Sequence, residues 1–177
     1  MAGEKLSRSF YNRDVLTVAP ELLGKVLVRK FDNGRVSRFI IEEVEAYRGE
    51  EDLACHASKG RSSRTEIMYH EGGKIYVYLI YGIYWMLNIV TGENTIPQAV
   101  LIRRIESFDG PGKLTRQLSV DKTFYGEDLV LSKRIWIENN SEAVRFFTEP
   151  RIGINYAGEY WKNKPWRFIL KEHRFAN

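Results

Sequence analysis

The chain has 177 residues, 44% of them hydrophobic and 28% charged, which suits one folded core and excludes a disordered or fibrous chain. Its 27 Lys+Arg against 23 Asp+Glu leave a formal charge of +4 and a pI near 9.1, a mild excess that permits a polyanionic partner without requiring one. A single cysteine, Cys55, excludes an intrachain disulfide, no apolar run approaches the ~20 residues of a membrane span, and the opening MAGEKLSRSFYNRD lacks the apolar centre of a secretory signal.

In chain order, Ser7–Arg13 reads as a lead-in and Asp14–Leu23 as a short helix ending before Gly24. Lys25–Phe31 and Val36–Tyr47 read as strands joined at Asp32-Asn33-Gly34, where Asn-Gly between alternating apolar residues signals a hairpin. Arg48–Tyr69 is polar and irregular, with room for a short helix. Lys74–Val90 (KIYVYLIYGIYWMLNIV) gives two strand-like runs that break at Tyr81-Gly82. A polar loop, Thr91–Pro97, leads to a strand at Ala99–Glu106, and Gly110–Ser119 (GPGKLTRQLS) opens a helix with Pro at its start. Leu129–Leu131 and Arg134–Ile137 are expected as short strands, and Arg151–Ile154 and Trp166–Leu170 as the strands that close the sheet. Hairpins link the strands and no βαβ alternation is present. The expectation is therefore an α+β fold, a single domain over 1–177, built on a mainly antiparallel sheet with short flanking helices.

Several groups of residues could carry chemistry. The tip of the 74–90 hairpin is an aromatic, Tyr81, where a small polar residue is usual. An outward aromatic on a rigid hairpin suits insertion between stacked bases, and a Tyr-rich core strand pair is the plainer reading. Period two puts Glu43, Glu45 and Tyr47 on one strand face, the carboxylates roughly 6–7 Å apart. Such a pair can divide acid and base roles, or simply face solvent. Arg103-Arg104 interrupts an apolar strand. Either one arginine turns inward toward a carboxylate such as Glu43 or Glu45, or the strand is an edge with both charges solvated. Gly110-Pro111-Gly112-Lys113 fails both the P-loop and the dinucleotide patterns, yet Lys113 beside a helix start could hold one phosphate. The histidines, His56, His70 and His173, have no second cluster at metal-ligand spacing, so neither a metal nor a cofactor is expected.

The ordered set of segments LLGKVLVR (22–29), EEVEAYRGEEDLACHAS (42–58), GRSSRTEIMY (60–69), IYVYLIYGIYWMLNIV (75–90), AVLIRRIE (99–106), GPGKLTRQL (110–118) and RIGINYAGEYW (151–161) resembles the alkyladenine (3-methyladenine) DNA glycosylase family, in its bacterial-type core. The resemblance implies a curved sheet with a protruding, DNA-inserting hairpin and a monofunctional base-excision enzyme. Its substrate would be double-stranded DNA carrying alkylated or deaminated purines. It assigns Glu45 as the base that activates water and Arg103 as its companion at the water. Tyr47, His56, Tyr78 and Asn88 would line the pocket for the extruded base. Tyr81 would be the intercalating wedge, with Ile83 and Tyr84 also on DNA. A monomer at the cytoplasmic nucleoid is expected. The charged stretch His70-Glu71-Gly72-Gly73 before the hairpin, and Asn155-Tyr156, depart from the family pattern.

The implied roles are physically consistent. Extruding a base costs a few kcal/mol and stacking on aromatics returns roughly 1–3 kcal/mol per base, so the balance is close and favours weakly paired lesions. A carboxylate at Glu45 can stabilise an oxocarbenium-like transition state, and Arg103 beside it is expected to keep it ionised. Two other readings predict different behaviour: a non-catalytic module that binds damaged DNA, and a small-molecule hydrolase using Glu43 and Glu45.

Overall fold

A computed structural model describes residues 3–171. Two short helices open the chain, α1 (Arg8–Tyr11) and α2 (Val15–Leu22). Asp14 caps α2 by accepting the Leu16 N–H at 2.9 Å, a contact worth about 1 kcal/mol. The helix turns Val15, Val18, Ala19 and Leu22 into the core.

Nine strands then form one antiparallel sheet: β1 (Val26–Lys30), β2 (Val36–Arg48), β3 (Ile75–Ile80), β4 (Tyr84–Thr91), β5 (Gln98–Ile105), β6 (Phe108–Asp109), β7 (Ile135–Glu138), β8 (Phe146–Glu149) and β9 (Arg167–Leu170). The main path runs β3-β4-β5-β2-β1-β7, while β6 pairs β5 and β9 bridges β2 to β8. The helices α3 (Pro111–Gln117) and α4 (Gly158–Lys162), with single 3-10 turns at His56–Lys59 and Glu66–Tyr69 on the way to β3, complete the fold. Both expected hairpins are present. Gly34 takes φ +83° in the first, and its N–H donates to the Phe31 carbonyl at 2.9 Å. The expected α+β class holds. No helix among the described residues is long and apolar enough to cross a membrane.

Two expected strands are not strands. Leu129–Leu131 is a turn. The Asp128 carboxylate accepts the Val130 N–H at 3.0 Å and its carbonyl accepts the Ser132 N–H at 2.7 Å, so a local Asx-type turn outcompetes the apolar run. Arg151–Ile154 is a bend, because Gly153 sits at φ +76° and the Arg151 side chain is drawn to a buried partner. The closing pair is instead Phe146–Glu149 with Arg167–Leu170.

The long strand β2 is the hub of the sheet, and two register slips mark its pairing with β5. Ile41 pairs Ile105 and Glu43 pairs Arg104, leaving Glu42 as an extra residue on β2. Val44 then pairs Ile102, leaving Arg103 as an extra residue on β5. Opposed bulges of this kind bend strands and re-aim side chains. Here they bring acidic and basic residues together within an otherwise apolar sheet. The core below them includes Leu27, Ile41, Val44, Ile75, Leu87, Ile102 and Phe124.

Candidate active site and nucleic-acid interface

The bulges set the ionic centre. Glu43, Glu45 and Arg103 converge: Arg103 Nε lies 3.1 Å from Glu43 Oε1, and its Nη1 lies 3.5 Å from Glu45 Oε1. Arg167 joins from β9, with Nη1 donating to Glu43 Oε1 at 3.0 Å. The inward arginine is thus Arg103, while Arg104 pairs with Glu42 at 3.1 Å nearer the surface. Glu45 has no solvent exposure. Its Oε1 accepts the Ile152 N–H at 2.8 Å and its Oε2 accepts the Tyr47 hydroxyl at 2.8 Å.

The carboxyl of Glu45 is pushed up from the ordinary range. Burial is the largest cause, opposed by the Arg103 charge, the Ile152 N–H and the Tyr47 hydroxyl. Arg103 acts in the expected direction, favouring the ionised carboxylate, while desolvation acts against it and is the larger of the two. A raised carboxylate is a stronger base, provided the working pH stays above its pKa.

An aromatic-lined pocket adjoins this centre through Tyr47, whose ring lines it and whose hydroxyl reaches Glu45; Glu45 itself is not part of the lining. Tyr47, His56, Tyr78 and Asn88 all face it, so the four residues expected there are brought together. His56 packs edge-on against Tyr78 with ring centres 4.6 Å apart, and Tyr76 lies 5.4 Å from Tyr78. Burial, reinforced by Arg64 and Lys59, pushes His56 down to about 4, so near neutral pH it is a neutral imidazole. Its Nδ1 is 2.8 Å from the Tyr76 hydroxyl. The Asn88 amide is fixed by donating to the carbonyls of Tyr76 and Met86 at 3.2 and 3.3 Å.

Three contributors were not singled out from the sequence. Tyr76 alternates with Tyr78 along β3, and period two could have named it. Tyr156, at the pocket rim with its hydroxyl donating to the Ala54 carbonyl at 2.9 Å, comes from far along the chain. So does the Ile152 N–H on Glu45, 107 residues away, for which no sequence signal exists.

The hairpin carries the outer part of the site. Ile80 and Ile83 close a two-residue turn, the Ile83 N–H donating to the Ile80 carbonyl at 3.1 Å, with φ +52° at Tyr81 and +67° at Gly82. Positive φ at both central residues defines the primed turn that matches strand twist. For Gly82 it is free, but for Tyr81 it is strained. Tyr81 is 84% exposed, Ile83 65% and Tyr84 38%. Tyr78 in the pocket wall lies on β3 and Tyr81 follows three residues later in the turn, roughly 10 Å further along the chain. Helix α3 braces the other strand: the Thr115 hydroxyl donates to the Trp85 carbonyl at 2.9 Å, and Gly112 sits so close to Tyr84 that a Cβ there would meet Cδ1 at 2.7 Å. That contact leaves Lys113 exposed on the helix that braces the hairpin.

The family model described as Methylpurine-DNA glycosylase (MPG) matches residues 9–109 and 105–174. The chain belongs to this family. Among similar proteins, one from Desulfitobacterium hafniense (strain Y51) is 42% identical, covering 98% of each chain. One from Methanocella arvoryzae is 42% identical over 94% of this chain and 92% of its own. One from Borreliella burgdorferi (strain B31) is 40% identical over 97% of this chain and 99% of its own. All three carry the name "Putative 3-methyladenine DNA glycosylase". Family membership thus rests on nearly the whole chain and includes the hairpin, pocket and ionic centre.

Proposed function

We propose that the chain, acting as one unit over 1–177, is a monofunctional 3-methyladenine-type DNA glycosylase of base-excision repair. It hydrolyses the N-glycosidic bond of alkylated or deaminated purines extruded from duplex DNA and leaves an abasic site. The observation that carries the reading is Glu45: a fully buried carboxylate, raised by burial, that holds the hydroxyl of a pocket-lining tyrosine behind a hairpin with an exposed aromatic tip.

Glu45 takes the proton of the attacking water and faces the positive charge that develops on the sugar. Arg103 holds Glu45 and Glu43 together and orients that water. The purine stacks among Tyr47, His56 and Tyr78, with Asn88 at its edge. Tyr81 occupies the gap left in the duplex, while Ile83, Tyr84 and Lys113 contact the strand beside it. No lysine nucleophile and no cofactor enters the chemistry, so the backbone is not cut. The protein works as a monomer on the DNA of the nucleoid.

The test is single-turnover base release from a duplex carrying one hypoxanthine, ethenoadenine or methylated purine, with Glu45→Gln beside the wild type. Release that falls by at least about 100-fold while lesion binding persists supports the reading, since general-base help is worth ~10²–10⁴. No release by the wild type from any of these would leave a module that binds damaged DNA without cutting it.

A further inference from the structure

Behind the pocket lies a buried ion pair that the proposed chemistry does not use. The side chains of Arg151 and Asp52 both have 0% exposure. They meet as a two-pronged fork, Nη1 to Oδ2 at 2.5 Å and Nη2 to Oδ1 at 2.9 Å. Nη1 also donates to the Ala46 carbonyl at 2.9 Å, and Nη2 reaches the Trp161 carbonyl at 3.4 Å. The guanidinium carbon lies 4.8 Å from the centre of the Tyr47 ring and 5.0 Å from that of Trp166. Its Nε is buried without a hydrogen-bond partner. Asp52 in turn accepts the backbone N–H of Arg48 at 3.0 Å and of Ala54 at 3.1 Å.

Stability does not account for this arrangement. A buried ion pair roughly breaks even against apolar side chains of the same volume, and an unpartnered buried N–H is a net cost. What the pair does supply is registration. It ties together β2 at Ala46–Tyr47, the loop that leads through Ala54 and Cys55 to His56 in the pocket wall, and the 150–154 bend. The residue after Arg151 is Ile152, whose N–H holds Glu45 Oε1. The fork fixes the guanidinium plane, the plane sets the Tyr47 ring, and the chain position of Arg151 sets the Ile152 N–H.

Resting on the reading of Glu45 as the base, we infer that Arg151, locked by Asp52, is a positioning residue that places the Glu45 carboxylate and the Tyr47 ring in register. It touches neither the purine nor the water. It acts through Tyr47 and Ile152, in a site where about 0.5 Å of slack is enough to cost rate.

The experiment compares three full-length proteins: wild type, Arg151→Met/Asp52→Asn, and Arg151→Lys. The double variant removes both charges while methionine fills the stem volume and asparagine keeps an acceptor for one of the two turn N–H groups. Arg151→Lys keeps the charge and loses the planar fork. Three quantities are read: hydrogen exchange at the Ile152 amide against the Val44 amide in β2, the affinity for lesion duplex, and single-turnover base release. In the double variant, Ile152 exchange is expected to rise at least about tenfold with Val44 unchanged. Release should slow by about 100-fold or more, with lesion affinity within about tenfold of wild type. Arg151→Lys should remain slow, because the fork and not the charge does the placing. Release within about threefold of wild type, or Ile152 and Val44 exchange rising together as for a plain stabilising pair, overturns the inference. A wild type that releases no base defeats the reading of Glu45, and Ile152 exchange still decides the clamp. Should the double variant not fold, Arg151→Lys carries both readings.

Discussion

Tyr47→Phe separates two jobs that one side chain performs. The ring lines the pocket and survives the substitution, so the stacking proposed above for an extruded purine is retained. The hydroxyl donates to Glu45 Oε2 at 2.8 Å and is lost. Burial and the neighbouring Glu45 raise the Tyr47 phenol well above its usual value, so in the wild type it donates across the whole working range of pH. A hydrogen bond to a charged group is worth about 1.5–3 kcal/mol, and one pKa unit corresponds to about 1.36 kcal/mol. The variant should therefore raise Glu45 by a further one to two pH units, roughly. Glu45 must be ionised to take a proton, so the rate climbs as pH rises through its pKa, and the acid limb of the pH–rate profile should move to higher pH by that amount. The plateau above it should change little, and lesion affinity by less than about threefold. The assay is single-turnover base release across pH with saturating enzyme. An acid limb that stays in place, or moves to lower pH, would refute the argument that this hydroxyl stabilises the ionised base.

Three further outcomes follow from the same contacts. Because the folded protein raises Glu45, its charge destabilises the fold above the ordinary value of 4.5; Glu45→Gln should raise Tm near pH 7, with the gain shrinking as pH falls toward 4.5, and a drop in Tm at pH 7 would refute this. Tyr81→Gly relieves a left-handed tyrosine worth about 1 kcal/mol net, so thermal unfolding should shift slightly upward while lesion affinity weakens by about 5- to 150-fold, the loss of one stacking contact. Unchanged lesion affinity there would remove the wedge from the mechanism. Lys113→Ala should lower the slope of log affinity against log salt by about one contact and weaken binding to damaged and undamaged duplex alike, as fluorescence titrations at several salt concentrations would show.

Local signals made much of the fold legible. Asn33-Gly34 and Tyr81-Gly82 announce their hairpins because positive φ at a turn demands particular residues. The helix after Asp14 and the one after Gly110 follow from capping and from Pro at a helix start. The alternation in β2 correctly set Glu43 and Glu45 toward one arginine. Local reading failed where tertiary contacts decide. Leu129–Leu131 is apolar enough for a strand, and only the Asp128 carboxylate turns it away. Nothing around Arg151 announces that Asp52, 99 residues earlier, will pull its side chain inward. The upward push of burial on Glu45 was not legible for a related reason: a sequence shows which charges are near in register, but not how completely water is removed.

On the proposed function, the strained turn at Tyr81 also bears on how a duplex is searched. A flexible tip would have to be ordered at every base step it tried, and that entropy would be lost again at each failed trial. In the primed turn both central dihedral pairs are already fixed, and α3 supports the strand that leads away from it. The conformational cost of presenting the aromatic is met once, when the chain folds. On that reading, each subsequent encounter tests the resistance of the base pair itself, and the hairpin serves as a gauge that responds to weak stacking wherever it is pressed.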